Sequence, residues 1–419
     1  MRTDVTEPAA VGATAVSTAG RAQTWGGESR DEVAPPAVGL TCDIVSTVAG
    51  VRDLKPDYER LYQVTGNSLP FALQEWHLAW WEHFVNRSPL IREQPLFCVL
   101  RSPGGESVAL VPLVLSRRRL GPLKVGIVAP IGADPGLTEI RNPLVTPGLE
   151  RQTVRAVHTA LTQVPNWDWI QWSGVSEGLA EALTHEATAQ PYEVSEDYIL
   201  DLPSSWDELR AGLQRNLRES LRYCYNSLKR DGHRFELVVA RERAEVRQGL
   251  NRFLELHALR AASAQGPTHP NCFAGRGVRE FLYDVCGRLA ERDAVWLFQL
   301  RIGKEIVASR VAFVVGDGIY LYYSGFDPAW ARYSVMTTTV AEAFRYAIAN
   351  GIKTVNLSLG REQSKVRWRP RVVKFYSAIV RRESLKSRLV CGAYQAAIIR
   401  NGRSARTVRR LLSAARDWD

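Results

Sequence analysis

The alternation of apolar and polar positions is most informative between residues 294 and 368. Apolar runs rich in β-formers occupy 295–302, 305–315 and 319–326, and Gly-Lys and Gly-Asp-Gly turns separate them. This pattern predicts three strands joined by tight turns. A helical pattern follows at 335–349, ends at an Asn-Gly pair, and leads into a short strand at 354–360. The segment therefore predicts a mixed sheet with one crossover helix.

The first half of the chain repeats this order. Strand patterns at 95–101 and 107–119 precede the segment 125–130 and a loop, and a helical pattern near 151–163 and a strand pattern at 167–174 follow. Two segments with one order of elements indicate a tandem duplication. The fold class predicted from the pattern is α/β, with mixed sheets of the α+β kind.

Two helical patterns add buried stripes. Trp76, Trp80 and Phe84 are spaced four residues apart, which places them on one helix face and predicts core packing. Farther along, Ser205-x-x-Glu208 is a plausible capping box that starts one helix running to about Arg230. Its buried stripe is predicted to be Leu209, Leu213, Leu217, Leu221, Tyr225 and Leu228, and arginines line its exposed side.

Composition and periodicity divide the chain into four segments. Residues 1–40 lack periodicity and are expected to form a disordered leader, followed by domains at 41–200 and 203–380 and a basic helical tail at 381–419. No apolar run is long enough to span a bilayer and no signal pattern begins the chain, so a cytoplasmic protein is expected. Six scattered cysteines without a C-x-x-C pair argue against a disulfide framework and a structural zinc site, and no metal is expected.

The charge is unevenly distributed. Residues 1–200 hold 16 Lys and Arg against 23 Asp and Glu, which gives −7, and the remaining residues hold 38 against 21, which gives +17. A basic second half fits a polyanionic ligand such as coenzyme A, a nucleic acid or an anionic membrane surface. A solvated basic face explains the same numbers.

Five short motifs follow one another in the second half. They are Tyr320-Leu-Tyr-Tyr-Ser-Gly-Phe-Asp327, Ala331-Arg-Tyr-Ser334, Ala341-Glu-Ala-Phe344, Asn350-Gly351 and Leu357-x-x-Gly360-x-Glu362-x-x-Lys365-x-x-Trp368. In this order and spacing they resemble the acyl-CoA N-acyltransferase (GNAT) superfamily and, within it, the BioF2-like, cellulose-biosynthesis (CelD-like) acetyltransferase domain. The resemblance extends to the first half and implies tandem GNAT-like domains, with a degenerate N-terminal one that completes the substrate cleft.

The resemblance implies how a donor is held. The pantetheine arm of acetyl-CoA or another acyl-CoA would lie along the edge of the third strand. The backbone N–H groups of Ser334, Val335, Met336 and Thr337 would bind its phosphates at the start of the helix. Relatives usually carry Pro-Gly after the serine, whereas this chain has Val335-Met336, whose side chains crowd a close approach of phosphate to the backbone.

The resemblance also suggests catalytic residues. Lys365 would stabilise the tetrahedral oxyanion and Glu362 would orient it or act as the base. An exposed i, i+3 ion pair accounts for the two equally well. Relatives often carry an acid where Asn356 stands, which leaves the base unassigned. Tyr322 is a candidate for catalysis and its neighbour Tyr323 for donor binding, and strand alternation predicts that they face opposite sides.

The function expected from this resemblance is acyl-CoA-dependent N- or O-acetyl transfer. The acceptor is expected to be an amine or hydroxyl of a small molecule or a saccharide in polysaccharide or envelope biosynthesis. A Fem-type aminoacyl-tRNA-dependent ligase is the first alternative; it fits the +17 half, lacks evidence of the usual coiled-coil arm, and is the case in which a nucleic acid is a partner. The second is a non-catalytic accessory that contacts an anionic membrane surface or envelope-synthesis proteins.

Overall fold

The computed structural model describes residues 39–86, 88–134, 136–263 and 269–399, which belong to one compact unit. The predicted leader up to residue 38 and the predicted tail beyond residue 399 lie outside these residues. The predicted domain boundaries remain predictions. The two halves are described below as residues 39–201 and 202–399.

The first half begins with a strand and three helices and continues into a sheet. Its elements are β1 (Thr41–Val45), α1 (Val48–Asp53), α2 (Lys55–Thr65), α3 (Gln74–Phe84), β2 (Ile91–Arg101), β3 (Ser107–Leu120), β4 (Leu123–Pro130), β5 (Leu144–Val145), α4 (Glu150–Thr162), β6 (Trp169–Val175), α5 (Glu177–Ala187) and β7 (Tyr192–Asp201).

The second half repeats this succession. Its elements are α6 (Trp206–Gly212), α7 (Arg215–Arg230), β8 (Phe235–Ala240), α8 (Arg243–Ala262), α9 (Arg276–Ala290), β9 (Val295–Ile302), β10 (Glu305–Val315), β11 (Gly318–Phe326), α10 (Val335–Ala349), β12 (Thr354–Leu359), α11 (Gln363–Val366), β13 (Arg371–Arg381) and α12 (Leu385–Ile399). Strands β2, β3, β4 and β6 correspond to β9, β10, β11 and β12, with α4 and α10 in equivalent places. The predicted mixed α/β fold with two repeated halves is confirmed.

The strands of the described residues form one mixed sheet that runs through both halves. Its order is β1-β2-β3-β4-β6-β13-β7-β12-β11-β10-β9-β8, with β5 attached to β3. The parallel neighbours are β4 with β6 and β11 with β12, one pair in each half. The last strand of each half is exchanged: β7 pairs with β12 of the second half, and β13 pairs with β6 of the first. Each half therefore completes its sheet with a strand of the other.

The helices cover both faces of this sheet. On one face α3 of the first half packs against α9 of the second, and the rings of Trp76 and Phe281 meet edge to face at 5.2 Å. Trp76, Trp80 and Phe84 are buried, which confirms the predicted core stripe. On the other face of the second half, Phe344 of α10 packs against Trp368 with ring centroids 4.7 Å apart.

The predicted helix from Ser205 to Arg230 is wrong in one respect, because it is two helices. Ser205 caps α6, where its side chain accepts the N–H of Glu208 at 3.2 Å, as the capping box predicts. The chain then becomes extended at Leu213 before α7 begins. Glycine at position 212 has low helix propensity, and the break follows it directly. The predicted leucines are buried, so the predicted buried stripe is correct, whereas the prediction of one continuous helix is wrong.

The C-terminal helix α12 is fixed to the first half by one buried carboxylate. Asp168, just before β6, accepts hydrogen bonds from the N–H of Gly126, from the hydroxyl of Ser387 and from Lys386 at 2.8–2.9 Å. In the described part of the chain, no helix combines the length and the apolar content needed to cross a bilayer.

Candidate active site

The parallel strands β11 and β12 separate in the middle of the sheet. Their pairing ends at Tyr320 on β11 and Asn356 on β12, although the strands continue to Phe326 and Leu359. We call the space between these unpaired ends the split. Backbone groups along its sides are free of the ladder that joins the strands below it, so an extended ligand can pair with them.

A β-bulge in β11 accompanies the split. Tyr322 and Tyr323 together lie opposite the single residue Val311 of β10. Both tyrosines consequently face the same side, with ring centroids 4.6 Å apart. Their hydroxyls donate to neighbouring carbonyls, Tyr322 to Leu137 at 2.6 Å and Tyr323 to Gly136 at 2.8 Å. The prediction that they face opposite sides is wrong, because the extra residue of the bulge breaks the strand alternation.

Those carbonyls belong to the connection between β4 and α4, residues 131–149, which reaches across from the first half. Asp134 organises it by accepting hydrogen bonds from the N–H groups of Leu137 at 2.6 Å and Thr138 at 2.9 Å. The hydroxyl of Thr138 and the indole N–H of Trp80 also donate to Asp134, at 2.6 and 3.0 Å. Part of the buried tryptophan stripe therefore fixes a loop at the split.

This connection places Glu139 at the split. Its carboxylate accepts a hydrogen bond of 2.5 Å from the hydroxyl of Tyr320, the last residue of β11 that pairs with β12. Burial raises the pKa of Glu139 to about 7, although Tyr320, Lys365 and the backbone at Leu359 act in the opposite direction. A carboxylate with this pKa exchanges protons readily near neutral pH, as a general base must.

A second carboxylate lies behind β12. Asp197 of β7 is fully buried and accepts a hydrogen bond of 2.5 Å from the side-chain amide of Asn356. Burial raises the pKa of Asp197 to about 6. The carbonyl oxygen of Asn356 accepts the N–H of Ser358 at 2.8 Å, and Ser358 adopts a left-handed φ of 67°. Where relatives are expected to carry an acid, this chain carries an amide that holds an acid from another strand.

Lys365 is buried beside these groups. Its ammonium donates to the hydroxyl of Ser358 at 3.2 Å and to the carbonyl of Leu359. Burial lowers its pKa, while Glu362, Glu139 and Asp197 raise it. Glu362 lies 3.9 Å from the ammonium but its side chain is 54% exposed. The alternative of an exposed ion pair therefore fits Glu362, whose side chain is exposed, but does not fit Lys365, whose side chain is buried.

The predicted donor-binding residues lie at the start of α10. Ser334 adopts a left-handed φ of 52°, its N–H donates to the carbonyl of Ala331, and the N–H of Thr337 donates to Ser334. Two of the four predicted amide donors are therefore engaged in the turn that begins the helix. The side chain of Val335 is buried in the core, and Met336 is half-buried.

A guanidinium that the sequence did not reveal adjoins this helix start. Arg367 donates to the hydroxyl of Thr337 at 2.9 Å. Its buried Nε has no hydrogen-bond partner among the described residues. Burial lowers the pKa of Arg367. A guanidinium and a helix N-terminus together favour an anionic group at this position.

The family follows from a match across this site. Residues 215–368, which include the split, α10 and Lys365, match the model of the acetyltransferase (GNAT) domain. Residues 215–368 therefore form a GNAT-type acetyltransferase domain. The finer CelD-like assignment remains a prediction. Among the residues that the structure describes, no group of three His, Cys, Asp or Glu side chains is arranged to hold a metal ion.

Solved structures resemble the chain at low identity. FemX is similar with a TM-score of 0.56 at 11% identity, over 81% of this chain and 97% of that one. L-PGS from Bacillus licheniformis is similar with a TM-score of 0.46 at 13% identity, over 81% and 95%. A tandem GNAT protein from the clavulanic acid biosynthesis pathway gives 0.42 at 11%, over 80% and 98%. The likeness to FemX concerns the fold alone. No curated protein sequence matches the chain significantly.

The structure thus unites some predicted residues and adds others. Lys365 lies at the split with Glu362 at its rim. The hydroxyls of Tyr322 and Tyr323 are bonded to the β4–α4 connection, and the catalytic role of Tyr322 remains a prediction. Sequence reasoning missed the Tyr320–Glu139 pair, Asp197 and Arg367, for which no local motif gave a signal.

Proposed function

We propose that the protein transfers an acyl group from a coenzyme A thioester to an amine or hydroxyl of an acceptor at the split. The observation that carries the proposal is the Glu139 carboxylate, with its pKa of about 7, at the point where β11 and β12 separate. As the resemblance to the GNAT superfamily implies, the pantetheine arm would lie along the edge of the third strand, which is β11 beside the split. The acyl carbonyl would then lie close to Glu139 and Lys365.

The site supplies the groups that this reaction needs. The acceptor nitrogen attacks the thioester carbonyl and loses a proton, the C–S bond breaks, and coenzyme A leaves as the thiol. Glu139 is the proposed base for the acceptor proton, with Tyr320 holding its carboxylate in place. The ammonium of Lys365 donates one N–H to the hydroxyl of Ser358 and one to the carbonyl of Leu359. Its third N–H can then donate to the developing oxyanion.

The donor phosphates are assigned to the start of α10. Arg367 and the helix N-terminus provide positive charge on the side of the sheet that α10 covers. The nearby helix α7 carries further exposed arginines, among them Arg215, Arg218 and Arg222. This distribution supports a polyanionic donor and accounts for part of the +17 charge of the second half.

Calorimetric titration with coenzyme A and acetyl-CoA tests the donor. We expect both to bind and both to raise the melting temperature, because the thiol form retains the phosphates and the pantetheine. Arg367→Gln is expected to weaken binding by roughly tenfold or more. Arg276→Gln, which removes an exposed arginine at the start of α9, is the matched control and should change binding little. A wild-type protein that binds neither thioester nor thiol at millimolar concentration would contradict the proposal.

One observation favours a second donor. The fold is similar to FemX over 97% of the FemX chain, and the sequence admits a Fem-type aminoacyl-tRNA-dependent ligase. The two candidates for a coiled-coil arm, α8 and α9, instead contact the sheet at β11 and β9. Filter binding with charged tRNA, run beside the coenzyme A titration, separates the two donors. Saturable retention of charged tRNA without binding of coenzyme A would favour the ligase.

A further inference from the structure

A continuous set of hydrogen bonds joins Asp197 of β7 to Lys365. The carboxylate of Asp197 accepts the side-chain N–H of Asn356 at 2.5 Å, and the side-chain oxygen of Asn356 accepts the backbone N–H of Ser358 at 2.8 Å. The hydroxyl of Ser358 in turn accepts a hydrogen bond from the ammonium of Lys365 at 3.2 Å. The buried acid on the exchanged strand is thereby connected to the lysine at the split.

A bulge in β12 gives Ser358 the orientation that this connection needs. Leu359 pairs with Asp197, and β12 has one residue more than β7 between this pair and the one that precedes it. Ser358 lies in this interval with a left-handed φ of 67°, which is unfavourable for a residue other than glycine. Its hydrogen bond to Asn356 stabilises the turn. The carbonyl of Leu359, opposite Asp197, is the second acceptor for Lys365.

Hydrogen bonding alone does not account for a carboxylate at position 197. Asp197 is fully buried, and its Oδ1 has no hydrogen-bond partner among the described residues. An asparagine would accept the N–H of Asn356 equally well and would avoid the cost of burying a charge. Two cations act on Asp197, namely Lys365 and Arg371. Arg371 is half-exposed and lies 3.6 Å from Asp201, so the buried cation that Asp197 serves is Lys365.

Lys365 needs a buried negative charge to remain an ammonium ion. Burial lowers its pKa and the charge of Arg310 lowers it further, while Glu362, Glu139 and Asp197 raise it. Glu362 is 54% exposed, so solvent screens its charge. Glu139, with its pKa of about 7, becomes neutral when it takes the acceptor proton. Asp197, whose pKa burial raises to about 6, is still ionised at neutral pH when the oxyanion forms.

We propose that Asp197 is a positioning residue for acyl transfer, which orients the ammonium of Lys365 through Asn356 and Ser358 and supplies its counter-charge. The inference rests on the proposed function, because it assigns a further residue to the same site. Asp197 acts through Lys365 and does not itself contact the reacting atoms. Since β7 belongs to the first half, that half contributes this counter-charge as well as Glu139.

The pH dependence of kcat tests the role of the charge. Asp197→Asn keeps an acceptor for Asn356 and removes the charge, so Lys365 should lose its proton at lower pH. We expect kcat at alkaline pH to fall by roughly tenfold or more, with the KM for acetyl-CoA unchanged. Asp201→Asn, which removes an exposed carboxylate of the same strand, is the matched control and should follow the wild type. Coincident profiles for Asp197→Asn and the wild type would overturn the role.

Exchanging the two side chains separates charge from packing. Asp197→Asn combined with Asn356→Asp keeps a hydrogen bond between an amide and a carboxylate and moves the charge to β12. The new carboxylate can still accept the backbone N–H of Ser358. We expect the double variant to recover kcat at alkaline pH to within about threefold of the wild type. A double variant that is as impaired as Asp197→Asn would overturn the counter-charge.

The ammonium of Lys365 can also be followed without turnover. In protein labelled with ¹³C at the lysine Cε atoms, the signal that disappears in Lys365→Arg belongs to Lys365, and its chemical shift reports the loss of the proton. The midpoint of this titration should lie at lower pH in Asp197→Asn than in the wild type and should return in the double variant. One midpoint common to all three proteins would overturn the proposal.

The two proposals fail in different ways. If coenzyme A does not bind but the titration of Lys365 depends on Asp197, the counter-charge stands and the thioester donor falls. If coenzyme A binds and acyl transfer proceeds while the titration and the kcat profile are independent of Asp197, the donor assignment stands and the role of Asp197 falls.

Discussion

The connection from β4 to α4 and the connection from β11 to α10 occupy equivalent places in the two halves, and they differ in length and in what they contact. The first spans residues 131–149, crosses to the second half and presents Glu139 to Tyr320. The second spans residues 327–334 and leads directly into α10. One connection supplies an acid to a site outside its own half, and the other forms the start of a helix inside its own half.

The helices that follow these connections, α4 and α10, differ in the charge at their first turns. The first turn of α4 carries Glu150, whereas the first turn of α10 carries no acid and adjoins Arg367. A carboxylate at a helix N-terminus occupies the favourable electrostatic position that a phosphate would take. In the function proposed above, the two halves differ through these loops: the second half binds the donor and the first half supplies Glu139.

The exchange of strands makes the largest prediction from this comparison. Because β7 and β13 each complete the sheet of the other half, we expect residues 1–202 and 203–419 to be insoluble when produced separately and to copurify as a soluble pair when produced together. Size-exclusion chromatography and circular dichroism check this. A second half that is monomeric, folded and cooperative on its own would show that the halves are independent.

Removing the acid that crosses between the halves should have the next largest effect. Glu139→Gln is expected to lower kcat/KM by roughly 100- to 10,000-fold with little change in coenzyme A affinity, because a general base is lost while the donor site is untouched. Wild-type activity should rise with pH through about 7, as Glu139 loses its proton, and the variant should lack this limb. Glu150→Gln, at the start of α4 directly after this connection, is the matched control. If the Glu139→Gln variant keeps the wild-type rate, the first half does not supply the general base.

The same variant should also change the pH dependence of stability. Burial raises the folded-state pKa of Glu139 to about 7 from an ordinary value of 4.5. Its contribution to stability is therefore fully present below about pH 4.5 and is lost as the pH rises through 7. Urea unfolding across this range should show the wild type weakening relative to Glu139→Gln. A constant difference between the two proteins would contradict the raised pKa.

The junction of the first half with α12 should respond less strongly. Asp168→Asn removes a buried acceptor shared by Gly126, Ser387 and Lys386 and should lower the free energy of unfolding by about 1–3 kcal/mol. Glu106→Gln, which breaks an exposed ion pair with Arg60, should cost less than about 1 kcal/mol. If both variants lose the same free energy of unfolding, the buried hydrogen bonds of Asp168 stabilise the protein no more than an exposed ion pair does.

The smallest effect concerns the two helix starts. Thr337→Glu gives α10 an acid in its first turn, as α4 already has, and should weaken coenzyme A binding by about tenfold. Arg367 lies within reach of the new carboxylate, so the fold should be retained. Thr337→Gln controls for size. Undiminished affinity in the glutamate variant would place the donor phosphates elsewhere.

Local signals account for what the sequence predicted well. The turns at Gly303 and Gly316 bound β9 and β10, whose limits were predicted to the residue, and the Asn350 stop does the same for α10. The motif around Lys365 singled out a lysine that is buried beside the split. These features depend on neighbours within a few residues, where turn chemistry and periodicity apply.

Long-range pairing accounts for what the sequence could not reveal. Glu139 meets Tyr320 across 181 positions, and Asp197 meets Asn356 across 159. Such contacts depend on strand order, and the exchange of β7 and β13 leaves no periodic trace. The bulge at Tyr322 also lacked a marker, since neither glycine nor proline accompanies it, and alternation therefore gave the wrong faces for the two tyrosines.

The position of β13 between β6 and β7 has a consequence for the order in which the protein is made. A ribosome releases residues 371–381 late, after both neighbouring strands have already emerged. Until then, β6 and β7 have open edges that invite pairing with other chains. A premature stop before this strand would thus leave open edges on β6 and β7, both of which belong to the first half.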